Sequence, residues 1–207
     1  GTTSVVERGE LRVMYNGVTN HGAQLTADGH ETVPMTYFTK GSPVDQVFEV
    51  VNDTDDPPPV AVMGLGVGTI ATYAAPGQEL TFFEIDPLVV EVAREYFTYL
   101  EKSKGDVEIK LGDGRVLIRK TPKNHFGLII ADAFSSDSIP VHLTTLEAVA
   151  LYMERLRPDG MLLMNISNKY VELAPMLARI ADKLGLAAYS NLHFPDDSQF
   201  EHPDARS

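Results

Sequence analysis

From Val60 onward the chain repeats one pattern: a short apolar run, then a segment whose apolar residues recur at helical spacing. The runs are "VAVMG", "LTFFEI", "VEIKL", "FGLIIAD", "MLLMNI" and "LAAYSNL". Between them, Val89, Val92, Ala93, Phe97 and Leu100 fall on one helical face, as do Leu173, Met176, Leu177, Ile180 and Leu184. A strand that is apolar throughout needs cover on both sides. Alternation with helices therefore predicts an α/β fold with a doubly wound, mostly parallel sheet of six strands.

The first 51 residues read differently. "LRVMY" is a short strand, and Asn16-Gly17 and Asp28-Gly29 are hairpin turn pairs, which predicts two successive hairpins. Ser42-Pro43 reads as an N-cap followed by proline at the first helical position, opening a helix to about Val51. "NDTDDPPP" then interrupts both helix and sheet and reads as a hinge. The predicted organisation is an N-terminal β region with its linking helix over 1–51, a Rossmann-like domain over 60–192, and a polar tail over 193–207.

Composition narrows the function. There is no cysteine, so disulfides and thiolate metal sites are excluded. Acidic residues outnumber basic ones 29 to 17, a formal charge of −12. That balance argues against nucleic acid and suits small cationic ligands, or solubility alone. No apolar run reaches the ~20 residues of a membrane-spanning helix. The start "GTTSVVERGELRV" lacks the basic stretch and apolar core of a secretory leader. A cytoplasmic chain without a membrane segment is the expectation. The six histidines form no metal signature, although His21 and His142 can reach the strand-end cleft.

In doubly wound sheets, ligands bind beyond the carboxyl ends of the strands where the strand order reverses. The first strand here runs into "GLGVGT", in which Gly64 and Gly66 allow a tight turn and close approach of a ligand. The next strand ends at Glu84, about 20 residues on, where an acid can accept both hydroxyls of a ribose. A dinucleotide fingerprint wants Gly or Ala where Thr69 stands, with the third glycine instead at Gly68. This disfavours a dehydrogenase and favours a wider turn, as in folds that bind S-adenosylmethionine. The third strand ends in Asp113-Gly114, either an ordinary turn or a carboxylate for an adenine amino group. The fourth ends in "ADAFSSDSIP", placing Asp132 and Asp137 at its mouth. Their alternative readings are a strand-end cap and an N-cap or Asx-turn.

The segments "GLGVGT", "FFEIDPLVVEVARE", "LGDGR" and "ADAFSSDSIP" resemble the spermidine synthase (polyamine aminopropyltransferase) family, most nearly its bacterial spermidine-synthase-like members. "HGAQ" and "PMTYF" resemble the family's N-terminal motifs. The likeness implies a class I methyltransferase-like Rossmann fold and no tightly bound cofactor. The implied co-substrate is decarboxylated S-adenosylmethionine or S-adenosylmethionine itself, with a diamine such as putrescine as acceptor. Carried over by position, Gln24, Tyr37, Gly64, Gly66, Gly68, Glu84, Asp113 and Gly114 surround the donor. Asp132 is the catalytic aspartate, and Asp137 and Tyr37 meet the acceptor. A homodimer is likewise implied. Three positions depart from the family pattern. Val67 stands where an acid pairs with the donor's ammonium, and Phe38 and Thr39 stand where the family has His-Glu or Gln-Glu. The family's seventh, antiparallel strand has no counterpart after Leu192. A methyltransferase and a non-catalytic nucleoside-binding domain are the alternative readings.

Overall fold

Thr3–Arg8 (β1), Leu11–Asn16 (β2) and Thr19–Leu25 (β3) form an antiparallel sheet in a computed structural model that describes residues 3–17, 19–133, 140–166 and 172–191. Asn16-Gly17 turns β2 into β3, as its tolerance of positive φ predicts. The other hairpin differs from the expectation: it joins β1 to β2 through Gly9, which sits at φ 58°. Asp28-Gly29 does make a turn, with His30 N donating to Ala27 O at 3.0 Å, but no strand follows. Pro34 lies in the next segment and has no N–H for a ladder. The chain instead enters a short 3-10 turn, Thr36–Phe38.

Pro43–Val51 (α1) begins as predicted, with Ser42 Oγ accepting from Asp45 N. The prolines after it are tied down on both sides rather than acting as a free hinge. Gln78 Nε2 donates to Pro58 O at 2.8 Å, and Gly127 N donates to Pro59 O at 2.9 Å.

The larger sheet contains Val60–Met63 (β4), Glu79–Glu84 (β5), Asp106–Leu111 (β6), Phe126–Ala131 (β7) and Leu156–Met164 (β8). Its order is β6-β5-β4-β7-β8, every pair parallel. Pro87–Tyr96 (α2), Gly114–Ile118 (α3), Leu146–Arg155 (α4) and Ala174–Leu184 (α5) complete the described elements. Successive residues of a strand point to opposite faces. Val60, Val62, Leu80, Phe82, Leu128 and Ile130 therefore meet α1 and α2 on one side. Ala61, Met63, Phe83 and Ile129 meet α3 and α4 on the other. Both faces are filled, so the sheet is doubly wound.

Several boundaries differ from the sequence reading: β8 begins at Leu156, ahead of "MLLMNI", and ends at Met164. "TIATYAA" forms a 3-10 turn over Thr69–Tyr73, not an α-helix. α2 stops at Tyr96, so Phe97 and Leu100 join the core from the loop that follows. The sixth strand does not form among the described residues: after Gly185 ends α5, residues 186–191 join no ladder, and Tyr189 is 97% exposed. No described residue extends the sheet beyond β8. An extended segment without a ladder partner is no strand. The predicted tail, 193–207, lies outside the described residues. Among the described residues no helix is long and apolar enough to cross a membrane.

Candidate active site

The strand order reverses between β4 and β7, which puts the crevice at the C-terminal tips of these two strands. The turn after β4 is built so closely against its surroundings that only glycine fits. Gly64 has φ 97°, and a Cβ there would lie 2.6 Å from Asp132 O and 3.1 Å from Ala133 Cα. Gly66 (φ 55°) is pressed against His21 O of β3, 2.8 Å from where its Cβ would be. Gly68, also left-handed, abuts Leu100. The N-terminal sheet thus lies directly over the glycine-rich turn.

Glu84, at the tip of β5, is buried and joins the turn to its own strand end. Its Oε2 accepts from Leu65 N and its Oε1 from Asp86 N, both at 2.9 Å. Each carboxylate oxygen keeps a second lone pair. A glutamine here has only one acceptor oxygen, so one backbone N–H loses its partner and faces an NH2. Glu84→Gln is expected to cost about 1–3 kcal/mol of stability. Thermal melting checks it; an unchanged melting temperature would show that these two hydrogen bonds do not hold the turn to β5.

Asp113 caps α3, its Oδ1 accepting from Val116 N at 3.0 Å, while Oδ2 lies 3.3 Å from His142 Nε2. Arg115 also donates to His142 O at 2.8 Å. The segment after β7 is thereby fastened to the tip of β6. Gly114 packs on Met63 at the end of β4, where a Cβ would come 3.2 Å from the methionine side chain.

Asp132 is the next residue after β7, with its N donating to Met63 O at 2.9 Å. Asn165 Nδ2 donates to its Oδ1 at 2.7 Å, and Tyr37 OH faces its Oδ2 at 3.4 Å. Burial pushes the Asp132 carboxyl up to about 7, against the opposing effect of these two hydrogen bonds. Burial and the neighbouring Asp132 together hold the Tyr37 hydroxyl well above its ordinary value. Tyr37 reaches this position from a strained turn: Thr36 has φ 62°, rare for a β-branched residue. Such strain persists only where surrounding structure enforces it. Tyr73 OH supplies part of that support by donating to Phe38 O.

The structure therefore gathers Gly64, Gly66, Glu84, Asp113, Gly114, Asp132 and Tyr37 around the tips of β4 to β7. Gln24 is turned elsewhere. Its Nε2 donates to Glu31 O and Thr98 Oγ1, at 2.7 and 2.9 Å, and its Oε1 accepts from Thr98 N at 3.1 Å. It clamps the N-terminal sheet to the loop after α2. The three departures from the family pattern share one property: Phe38, Thr39 and Val67 are all buried. Val67 is held against Gly22, where a Cβ would lie 2.5 Å from its side chain. Asp137 lies outside the described residues. No group of described His, Asp and Glu residues is arranged to hold a metal ion.

Two residues were missed by sequence reasoning. Asn165 ends the apolar run "MLLMN" just as Asp132 ends "LIIAD", and that shared position was the available signal. Ile85, the residue after Glu84 and the end of β5, is an exposed apolar side chain, 69% exposed. It looked like strand interior because apolar runs carry no mark of where they leave the core.

A family model for the spermine/spermidine synthase domain matches residues 56–187, well over half the chain. The chain belongs to the spermine/spermidine synthase domain family. It is 32% identical over 114 residues to a polyamine aminopropyltransferase from Vibrio vulnificus, covering 53% of this chain and 38% of that protein. It is also 31% identical over 113 residues to an N-terminal histidine N-methyltransferase from Emericella nidulans, covering 52% of this chain and 19% of that one. The chain thus spans well under half the length of these relatives. A probable spermidine synthase from Corynebacterium glutamicum shares its fold, with a TM-score of 0.67 at 17% identity, over 79% of this chain and 60% of that one.

Proposed function

We propose that this domain transfers an aminopropyl group from decarboxylated S-adenosylmethionine to a small amine, with a diamine such as putrescine as acceptor. The acceptor nitrogen's lone pair attacks the carbon next to the sulfonium. The C–S bond breaks, the sulfur leaves as neutral methylthioadenosine, and the nitrogen loses a proton. An alkyl ammonium with a pKa of ~10.4, as for lysine, has no lone pair at neutral pH. The site must hold the attacking end neutral while the other end stays charged.

Asp132 carries the reading. A carboxyl at a strand tip beside a glycine-rich turn, raised by burial to about 7, is a better proton acceptor than an ordinary aspartate. In its ionised form it draws the amine into place, and much of the rate comes from orientation and exclusion of water around the sulfonium. Glu84 holds the ribose and Asp113 the adenine amino group. Gly64, Gly66 and Gly68 shape the backbone beneath the donor, with Gly114 beside it. Tyr37 closes the site, and Asp137 pairs with the acceptor's distal ammonium. Gln24 serves by holding the N-terminal sheet over the turn. A homodimer belongs to the same reading.

The second reading is methyl transfer from S-adenosylmethionine to an amine. The buried Val67, where the family has an acid, and the methyltransferase relative favour it. Both reactions alkylate an amine from a sulfonium nucleoside. Incubation with each donor and an amine panel distinguishes them. Methylthioadenosine released from the decarboxylated donor is the expected product, and S-adenosylhomocysteine from the carboxylated donor would transfer the assignment to a methyltransferase. Neither product with any amine would overturn both.

A further inference from the structure

The parallel ladder between β7 and β8 continues one step past the strands. Ala131 pairs with Met164, and Asn165 N donates to Ala131 O at 3.0 Å. Paired residues of neighbouring strands project to the same face. Asn165 thus stands beside Asp132, and a short amide side chain spans the gap.

We propose that Asn165 is the positioning residue for the Asp132 carboxylate: it fixes the rotation of the carboxyl group by binding Oδ1, so that Oδ2 is presented to the cleft as the oxygen that takes the proton. The two contacts on Asp132 are unequal. Asn165 Nδ2 binds Oδ1 at 2.7 Å, a full hydrogen bond that strengthens when the carboxyl ionises. Tyr37 OH stands 3.4 Å from Oδ2, loose enough to make room for a ligand nitrogen. The choice of an amide matters chemically. No described Lys, Arg or His forms an ion pair with Asp132. A cation at this position would hold the carboxyl at low pKa and weaken it as a base. A neutral donor orients it and offsets only part of the burial cost. Among the described residues, Tyr37, from the N-terminal turn, is the titratable group that faces Asp132. Asn165 faces it from the end of β8, and the Gly64 backbone from the end of β4.

The rate part of this inference rests on the reading of Asp132 as proton acceptor; the titration part stands on geometry alone. The test follows the Asp132 carboxyl carbon by NMR in 13C-aspartate-labelled protein, identified by its loss in Asp132→Asn. In Asn165→Leu the midpoint is expected to rise by about one pH unit or more. In the isosteric Asn165→Asp, two carboxyls within hydrogen-bond reach share a proton, and the titration splits into two coupled steps. That variant decides the matter if the leucine protein does not fold. An unmoved midpoint in Asn165→Leu, or uncoupled titration in Asn165→Asp, overturns the positioning role. The acid limb of kcat against pH should follow the carboxyl upward, with KM for the amine little changed. If the carboxyl titration moves and the rate profile does not, Asn165 still positions Asp132, and Asp132 as proton acceptor is what fails.

Discussion

Asp132→Asn is expected to lower the transfer rate by about 10³-fold while making the fold more stable at pH 8 than the wild type. The rate loss follows from the proposed reading of Asp132 as proton acceptor, an effect of about 10²–10⁴ in general base catalysis. The stability gain follows from linkage. Below pH ~3.9 the aspartate is neutral in both folded and unfolded chains, and it carries no penalty. As pH rises, the unfolded chain ionises first, while the folded carboxyl holds its proton up to about 7. Stability is therefore lost across that window, and the full penalty is present above it. A shift of this size is worth on the order of 2–4 kcal/mol for a carboxyl whose tip is partly open to solvent. Asparagine keeps the carbonyl that Asn165 binds and removes the charge. Melting curves from pH 4 to 8.5 should converge at the acid end. At pH 8 they should differ by about 5–10 °C, the variant higher. A variant that melts below wild type at pH 8 would show that Asp132 is not penalised by burial. A residual rate near wild type would remove it from the chemistry.

Gly64→Ala is expected to cost about 3 kcal/mol or more and to abolish the proposed nucleoside binding. Two effects add. The backbone at φ 97° strains any L side chain, by about 1–2 kcal/mol. The new Cβ would also lie 2.6 Å from Asp132 O and 3.0 Å from Asp132 C, which are backbone atoms with no rotamer to escape into. Hydrogen bonds pin both strands, Gly64 N to Phe83 O and Asp132 N to Met63 O, so relief requires parting β4 from β7. Gly77→Ala is the control. Gly77 has φ 72° and nothing within 4 Å of where its Cβ would be, so it feels the strain alone, about 1 kcal/mol. The melting temperature should fall by about 6–12 °C for Gly64→Ala and by a few degrees for Gly77→Ala. Equal losses in the two variants would mean that the close approach to Asp132 is not what makes this glycine necessary.

Much of the architecture was legible because its signals are local. The Ser42-Pro43 cap, the apolar runs of β4, β5 and β7, and Asp86-Pro87 opening α2 each depend on a few consecutive residues, and each lies where it was expected. The expectations that moved depended on partners. "LAAYSNL" has strand composition but no ladder to join, and Asp28-Gly29 makes a turn with no second strand behind it. "TIATYAA" has helical spacing, but a left-handed Gly68 packed on Leu100 introduces it, and it tightens into a 3-10 turn.

The site divides along the same line. The chain's order alone determined which chemical groups stand at the strand tips: glycines after β4, Glu84 at the end of β5, Asp113 after β6, Asp132 after β7. Strand ends are marked by where an apolar run stops, which is a local property. Only the tertiary structure decided what those groups do to one another. Asn165 and Tyr37 lie 33 and 95 residues from Asp132, and Thr98 lies 74 from Gln24. Sequence proximity carries no information at such separations. Whether a carboxylate is bare, capped or buried depends on which chains fold over it, and burial sets its charge.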